Sequence, residues 1–169
     1  PRCRVLPIQE ATMKRFAVIM TVLSLSFAFA GCKMKPVNKQ YNDALIMAAS
    51  KGDLAEVKAN LPSYFHEGGD INAIDDFGKT PVHRAAVKNN FDVIKYLVEH
   101  GADINQAAAD GTTPLMRAAE NENVEIAAYL LEKGANINAA AADGKTALGF
   151  AEYYKLPKMI EFLKSKGAK

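Results

Sequence analysis

Three hexapeptides decide how this chain folds: Gly78-Lys79-Thr80-Pro81-Val82-His83, Gly111-Thr112-Thr113-Pro114-Leu115-Met116 and Gly144-Lys145-Thr146-Ala147-Leu148-Gly149. Their starts lie 33 residues apart. A second anchor keeps the interval: Gly68-Gly69-Asp70-Ile71-Asn72, Gly101-Ala102-Asp103-Ile104-Asn105 and Gly134-Ala135-Asn136-Ile137-Asn138. Ala85-Ala86, Ala118-Ala119 and the looser Ala151-Glu152 hold the same phase. Two anchors in one phase over three cycles specify an array in which each unit stacks on its neighbours.

The local chemistry agrees. Thr80-Pro81 and Thr113-Pro114 set a hydroxyl cap before a proline at the first helical position. Alanine pairs let two helices approach closely. Further helices show apolar spacing at Val93, Ile94, Leu97 and Val98, then Ile126, Ala127, Leu130 and Leu131, then Met159, Ile160 and Leu163. Gly101, Gly134 and Gly167 follow where a left-handed residue ends a helix. Asp110-Gly111 and Asp143-Gly144 supply turn chemistry.

These residues resemble the ankyrin repeat, and the resemblance covers 42–169. It implies an all-α solenoid of four helix-turn-helix repeats with β-turn fingers, near 42–74, 75–107, 108–140 and 141–169. The end repeats diverge, as capping units do. The first has Ala44-Leu45-Ile46-Met47-Ala48-Ala49 for the Thr-Pro element and a short insertion within 61–67. The last lacks the proline and histidine, starts its second helix at Pro157, and ends polar at Lys164, Lys166 and Lys169. Thr80, His83 and Thr113 take structural roles by this resemblance, with His83 hydrogen-bonded to Thr80.

Upstream, Met13 to Cys32 reads as a leader. Lys14 and Arg15 precede an apolar stretch from Phe16 to Phe29. That stretch is short for a membrane span, which takes roughly 20 residues, and suits a secretory signal peptide at 13–31. Residues 1–12 have no place before such a leader and are read as outside the native protein. Phe29-Ala30-Gly31-Cys32 resembles a bacterial lipobox that would lipidate Cys32; Ala28-Phe29-Ala30 is a competing cleavage site that would release a soluble protein. Residues 32–41 are expected to be a tether. The domain is thus expected in a bacterial periplasm, anchored to the outer or inner membrane if Cys32 is acylated.

Charge and cysteine content narrow the function. The 169 residues carry 21 Lys+Arg and 19 Asp+Glu, a net of +2. The excess sits in the leader and tether; from residue 42 onward 14 basic face 18 acidic residues. An acidic domain argues against a nucleic-acid surface. Cys3 and Cys32 both precede the domain, which removes a cysteine-zinc site and a thiol nucleophile from it. His66, His83 and His100 show no metal-ligand spacing, so neither metal, cofactor nor enzyme activity is expected.

Binding remains, with a periplasmic protein as the expected partner of a chain that is a monomer until it binds. The resemblance implies a concave contact face of fingertips and first helices. Its columns are Asp76, Phe77, Lys79, Arg84, Val87 and Lys88; Ala109, Asp110, Thr112, Arg117, Glu120 and Asn121; and Ala142, Asp143, Lys145, Phe150, Tyr153 and Tyr154. Arg84, Arg117 and Phe150 should form a row, with the arginines either free or paired to Asp76 and Glu120. Phe150 and one of Tyr153 or Tyr154 could equally close the last repeat. Tyr64 and Phe65, in the insertion, serve either as a cap or as a contact. By size, leader and repeat count the chain resembles small periplasmic self-protection proteins of predatory bacteria that block the producer's own peptidoglycan-cleaving endopeptidase or carboxypeptidase. A scaffold lipoprotein holding a periplasmic enzyme such as a catalase is the alternative.

Overall fold

The computed structural model describes residues 37–61 and 69–169. The leader, Cys32, Tyr64, Phe65 and His66 lie outside the described residues. Among the described residues eight helices follow one another: α1 (Val37–Lys51), α2 (Leu54–Asn60), α3 (Pro81–Val87), α4 (Phe91–Glu99), α5 (Pro114–Glu120), α6 (Val124–Glu132), α7 (Ala147–Tyr153) and α8 (Pro157–Ser165). No strand occurs among the described residues. The odd-numbered helices stack in one layer, α1 on α3, α3 on α5 and α5 on α7. The even-numbered helices back them, each paired with the odd helix before it. The chain is an all-α repeat solenoid.

Each helix begins and ends for a local reason. Thr80, Thr113 and Thr146 hydroxyls accept the N–H groups of His83, Met116 and Gly149, satisfying donors that have no partner within the helix. Pro81 and Pro114 fill a position whose N–H is unneeded. The two helices of each repeat join through a left-handed residue: Gly52, then Asn89, Glu122 and Lys155. After α4, α6 and α8, glycines at φ 91°, 94° and 87° let Ala102, Ala135 and Ala168 donate back to Leu97, Leu130 and Leu163.

The core runs along the seam between the layers. Ala48, Ala49, Ala85, Ala86, Ala118, Ala119 and Ala151 are fully buried, and their small side chains permit the close approach of the layers. Val57, Ile94, Leu97, Ile126, Leu130, Met159 and Leu163 fill the other side. Burying each of these large side chains contributes about 1.5–3 kcal/mol before entropy is counted.

The first repeat departs from the expected boundaries. Helix α1 starts at Val37, so residues 37–41 are helical rather than tether. Where later repeats carry a finger, the first repeat continues its helix. The side chain of Asn42 on this helix accepts the Asp70 N–H at 2.7 Å. Asn72, Asn105 and Asn138 do the same for Asp103, Asn136 and Lys169 at 2.8, 2.8 and 3.0 Å. Helix α1 therefore supplies from its flank a bond that the other repeats take from a loop.

Candidate protein-binding surface

The fingers are tight turns, and each must close on a carboxylate. In the third and fourth repeats that group is Asp110, whose Oδ1 accepts the Thr112 N–H at 3.0 Å, and Asp143, whose Oδ1 accepts the Lys145 N–H at 3.0 Å. In the second repeat, Asp75 takes over from two places earlier. It accepts the Phe77 and Lys79 N–H groups at 2.8 and 3.0 Å. The position held by Asp110 and Asp143 is thereby free for Phe77, which is 64% exposed. Lys79 and Arg84 flank its ring, 5.8 and 5.7 Å from the centroid, within cation–π range.

Successive fingers touch through their backbones. Ala109 N–H donates to Phe77 O at 3.1 Å, and Ala142 N–H to Asp110 O at 3.0 Å. This approach leaves no room at Gly78 and Gly111. A Cβ there would lie 2.6 Å from Ala109 N and 2.5 Å from Ala142 N, and both glycines have positive φ.

Both arginines of the row are ion-paired. Arg84 donates through Nε to Asp75 Oδ2 at 2.7 Å, so its partner is Asp75 and not Asp76; the carboxylate that closes the turn is the one within reach. Arg117 pairs with Asp110 and Glu120 at 2.5 and 2.8 Å, and Tyr154 Oη donates to Glu120 at 3.1 Å. Burial opposes ionisation of Asp75, but the Lys79 and Phe77 N–H groups and Arg84 outweigh it and hold its pKa below the usual value. Asp110 behaves alike through Thr112 and Arg117. The two arginines of the row are therefore internally neutralised, and between them the face offers shape and aromatic surface more than charge.

Two open grooves mark this face. One, about 460 Å³, lies between α1 and the second-repeat finger, lined by Lys39, Asp43, Ile46, Met47, Asp76 and Arg84 among others. The other, about 320 Å³, lies between α5 and the fourth finger, where Arg117, Glu120, Ala142, Phe150 and Tyr154 meet. Arg117 and Phe150 thus share a groove, whereas Arg84 lines the other. Tyr153 is 67% exposed and Tyr154 46%, their rings edge-to-face at 5.1 Å. Lys145 Nζ stands 6.0 and 5.3 Å from the Phe150 and Tyr153 centroids. Phe150 packs partly against the core; Tyr153 does not close the last repeat. Lys88 and Asn121 are exposed at helix ends.

The candidate residues omitted Met47 and Ile74, exposed at 55% and 58% on the first helix and second finger. Met47 was hidden because the divergent first repeat gives no register for its face. Ile74 stands where later repeats have Ala107 and Ala140, a contrast that spacing alone could have revealed. Tyr96, Tyr129 and Phe162 also recur at 33 residues on the second helices. They pack against the core with Lys58, Lys133 and Lys166 over their rings.

His83 is buried: Nδ1 faces Thr80 Oγ1 at 2.8 Å and Nε2 faces Thr112 O at 2.9 Å. His100 stacks on Tyr96 and reaches its carbonyl at 2.7 Å. Among the described residues no three His, Cys, Asp or Glu gather as a metal would need, and no helix is long and apolar enough to cross a membrane.

Comparison with known proteins agrees with this architecture. The family model described as ankyrin repeats (many copies) matches residues 45–98, 82–131 and 115–163. A putative ankyrin repeat protein of Rickettsia bellii is 41% identical over 58 residues, spanning 33% of this chain and 34% of that protein. The palmitoyltransferase akr1 of Schizosaccharomyces pombe is 40% identical over 57 residues, 34% of this chain and 8% of the enzyme. The chain thus spans 34% and 8% of the lengths of these two relatives.

Proposed function

The chain belongs to the ankyrin-repeat family, whose fold is a protein-interaction scaffold, and from that premise we propose that it works outside the bacterial cytoplasm as a noncatalytic self-protection protein. It binds a peptidoglycan-cleaving periplasmic enzyme and covers its active-site cleft. The leader reading at Met13 to Cys32 supports the compartment. The observation that carries the binding reading is Phe77: a largely exposed ring on a fingertip held rigid by two backbone bonds to Asp75. Rigid, exposed aromatics lose little entropy on contact and dominate interface energetics. Phe77, Tyr153 and Tyr154 are the anchors, with Arg84 and Arg117 shaping the surface between them.

The test is inhibition. Purified protein without its leader should inhibit a periplasmic endopeptidase or carboxypeptidase at a one-to-one ratio, and Phe77→Ala should weaken that at least about tenfold. Binding that leaves the enzyme's activity intact would select the scaffold reading. Failure to bind any periplasmic protein would sink both.

A further inference from the structure

The three boundaries between repeats are tied by side chains of unequal kind. Between the first and second, the half-buried Asn90 amide donates to Ala49 O and Ser50 O at 2.8 and 3.1 Å. Between the second and third, the buried His83 ring reaches Thr112 O, which also accepts the Ala108 N–H. Between the third and fourth, Met116 stands where His83 stood. Its Sδ receives the Thr113 N–H at 3.4 Å, copying the inward bond of the imidazole, but a thioether has no proton to send onward. Lys145 O, the counterpart of Thr112 O, accepts only the Ala141 N–H among the described residues. Leu156, which stands in the fourth repeat where Asn90 stands in the second, has no amide to send back to the repeat before it.

Apolar packing of α5 on α7 runs across this last boundary, but the hydrogen bonds that cross it lie near solvent: Ala142 N–H on Asp110 O, Lys169 N–H on Asn138 and Tyr154 Oη on Glu120. Glu120 is held in turn by Arg117, and Arg117 by Asp110. Bonds made in water's presence contribute less than buried ones. The fourth repeat also carries Gly149 inside the seven-residue α7 and Lys155 at φ 56°, each a local cost.

We infer that the fourth repeat opens and closes as a unit of its own, parting at Met116, with the Tyr154–Glu120–Arg117 chain as its latch. The groove lined by Arg117, Glu120, Phe150 and Tyr154 straddles the parting line, so a partner filling it would hold the unit shut. That last step rests on the binding reading above; the opening itself does not, and is measured without a partner.

Native-state hydrogen exchange on the free full chain provides the test. Amides of α7 and α8 should exchange at least about tenfold faster than those of α3 to α6. Met116→His should slow α7 and α8 about fivefold by restoring a donor to Lys145 O, whereas Met116→Leu should not. Tyr154→Phe, a surface change, should speed α7 and α8 about twofold and leave α3 to α6 unaltered. One shared opening rate from α3 to α8 would overturn the inference. So would equal slowing by Met116→His and Met116→Leu, or a Tyr154→Phe effect spread over all helices.

Discussion

The His83 ring bridges Thr80 and Thr112, taking Thr80 N–H on Nδ1 at 3.2 Å and donating Nε2–H to the Thr112 carbonyl at 2.9 Å. The geometry needs the neutral ring with its proton on Nε2, since a second proton on Nδ1 would point at the Thr80 donor. Burial lowers the His83 pKa and nearby Arg117 adds to this, against the Thr112 carbonyl. The unfolded chain, with an ordinary imidazole near 6.5, therefore takes up a proton that the folded chain refuses. Stability is fully present above that value and is lost as pH falls toward the folded pKa. Urea midpoints measured from pH 7.5 to 5 should fall, and His83→Gln should flatten that fall while lowering the midpoint at pH 7.5.

Gly111→Ala should destabilise by about 2 kcal/mol or more, since it adds a Cβ 2.5 Å from Ala142 N at φ 75°. Gly144→Ala meets open space and should cost only the conformational part. Thermal melts of the two variants separate contact from conformation.

Glu122 and Lys155 hold φ 53° and 56° where the first repeat has Gly52. Glu122→Gly and Lys155→Gly should each raise stability by up to about 1 kcal/mol, because relief of left-handed strain exceeds the glycine entropy cost. Equilibrium denaturation checks this; a lower midpoint in both would contradict it.

Phe77→Ala should leave the melting temperature nearly unchanged, within about 0.5 kcal/mol, since the ring is mostly in solvent. Arg84→Ala should cost more stability than Phe77→Ala, because it removes the Asp75 partner. Against a bound partner the order should reverse, with Phe77→Ala the more damaging. Paired melts and titrations read both orders.

The repeat, its caps and its alanine seam were legible because each has a residue type that alternatives exclude: Thr before Pro, Ala pairs, Gly after the helix. The left-handed turns at Glu122 and Lys155 were not, since neither residue favours that conformation and only the surrounding helices impose it. The partner of Arg84 was unreadable from Asp75-Asp76, because neighbouring carboxylates differ only in which one the turn bends inward. The start of α1 at Val37 was missed because the first repeat lacks the finger that marks every other register.

The displacement of the turn-closing carboxylate from the position of Asp110 to that of Asp75 separates two duties that one aspartate performs in the later fingers. Closing the loop and presenting a side chain to the outside become independently variable. The second finger behaves like a socket: its tip can be exchanged without disturbing the turn beneath it. The third and fourth fingers would accept a new tip only after an aspartate was first placed two residues earlier, at Ala108 or Ala141. Diversifying position 77 is thus the economical way to retarget this surface, and grafting the Asp75–Phe77 arrangement onto the next finger is the way to widen it.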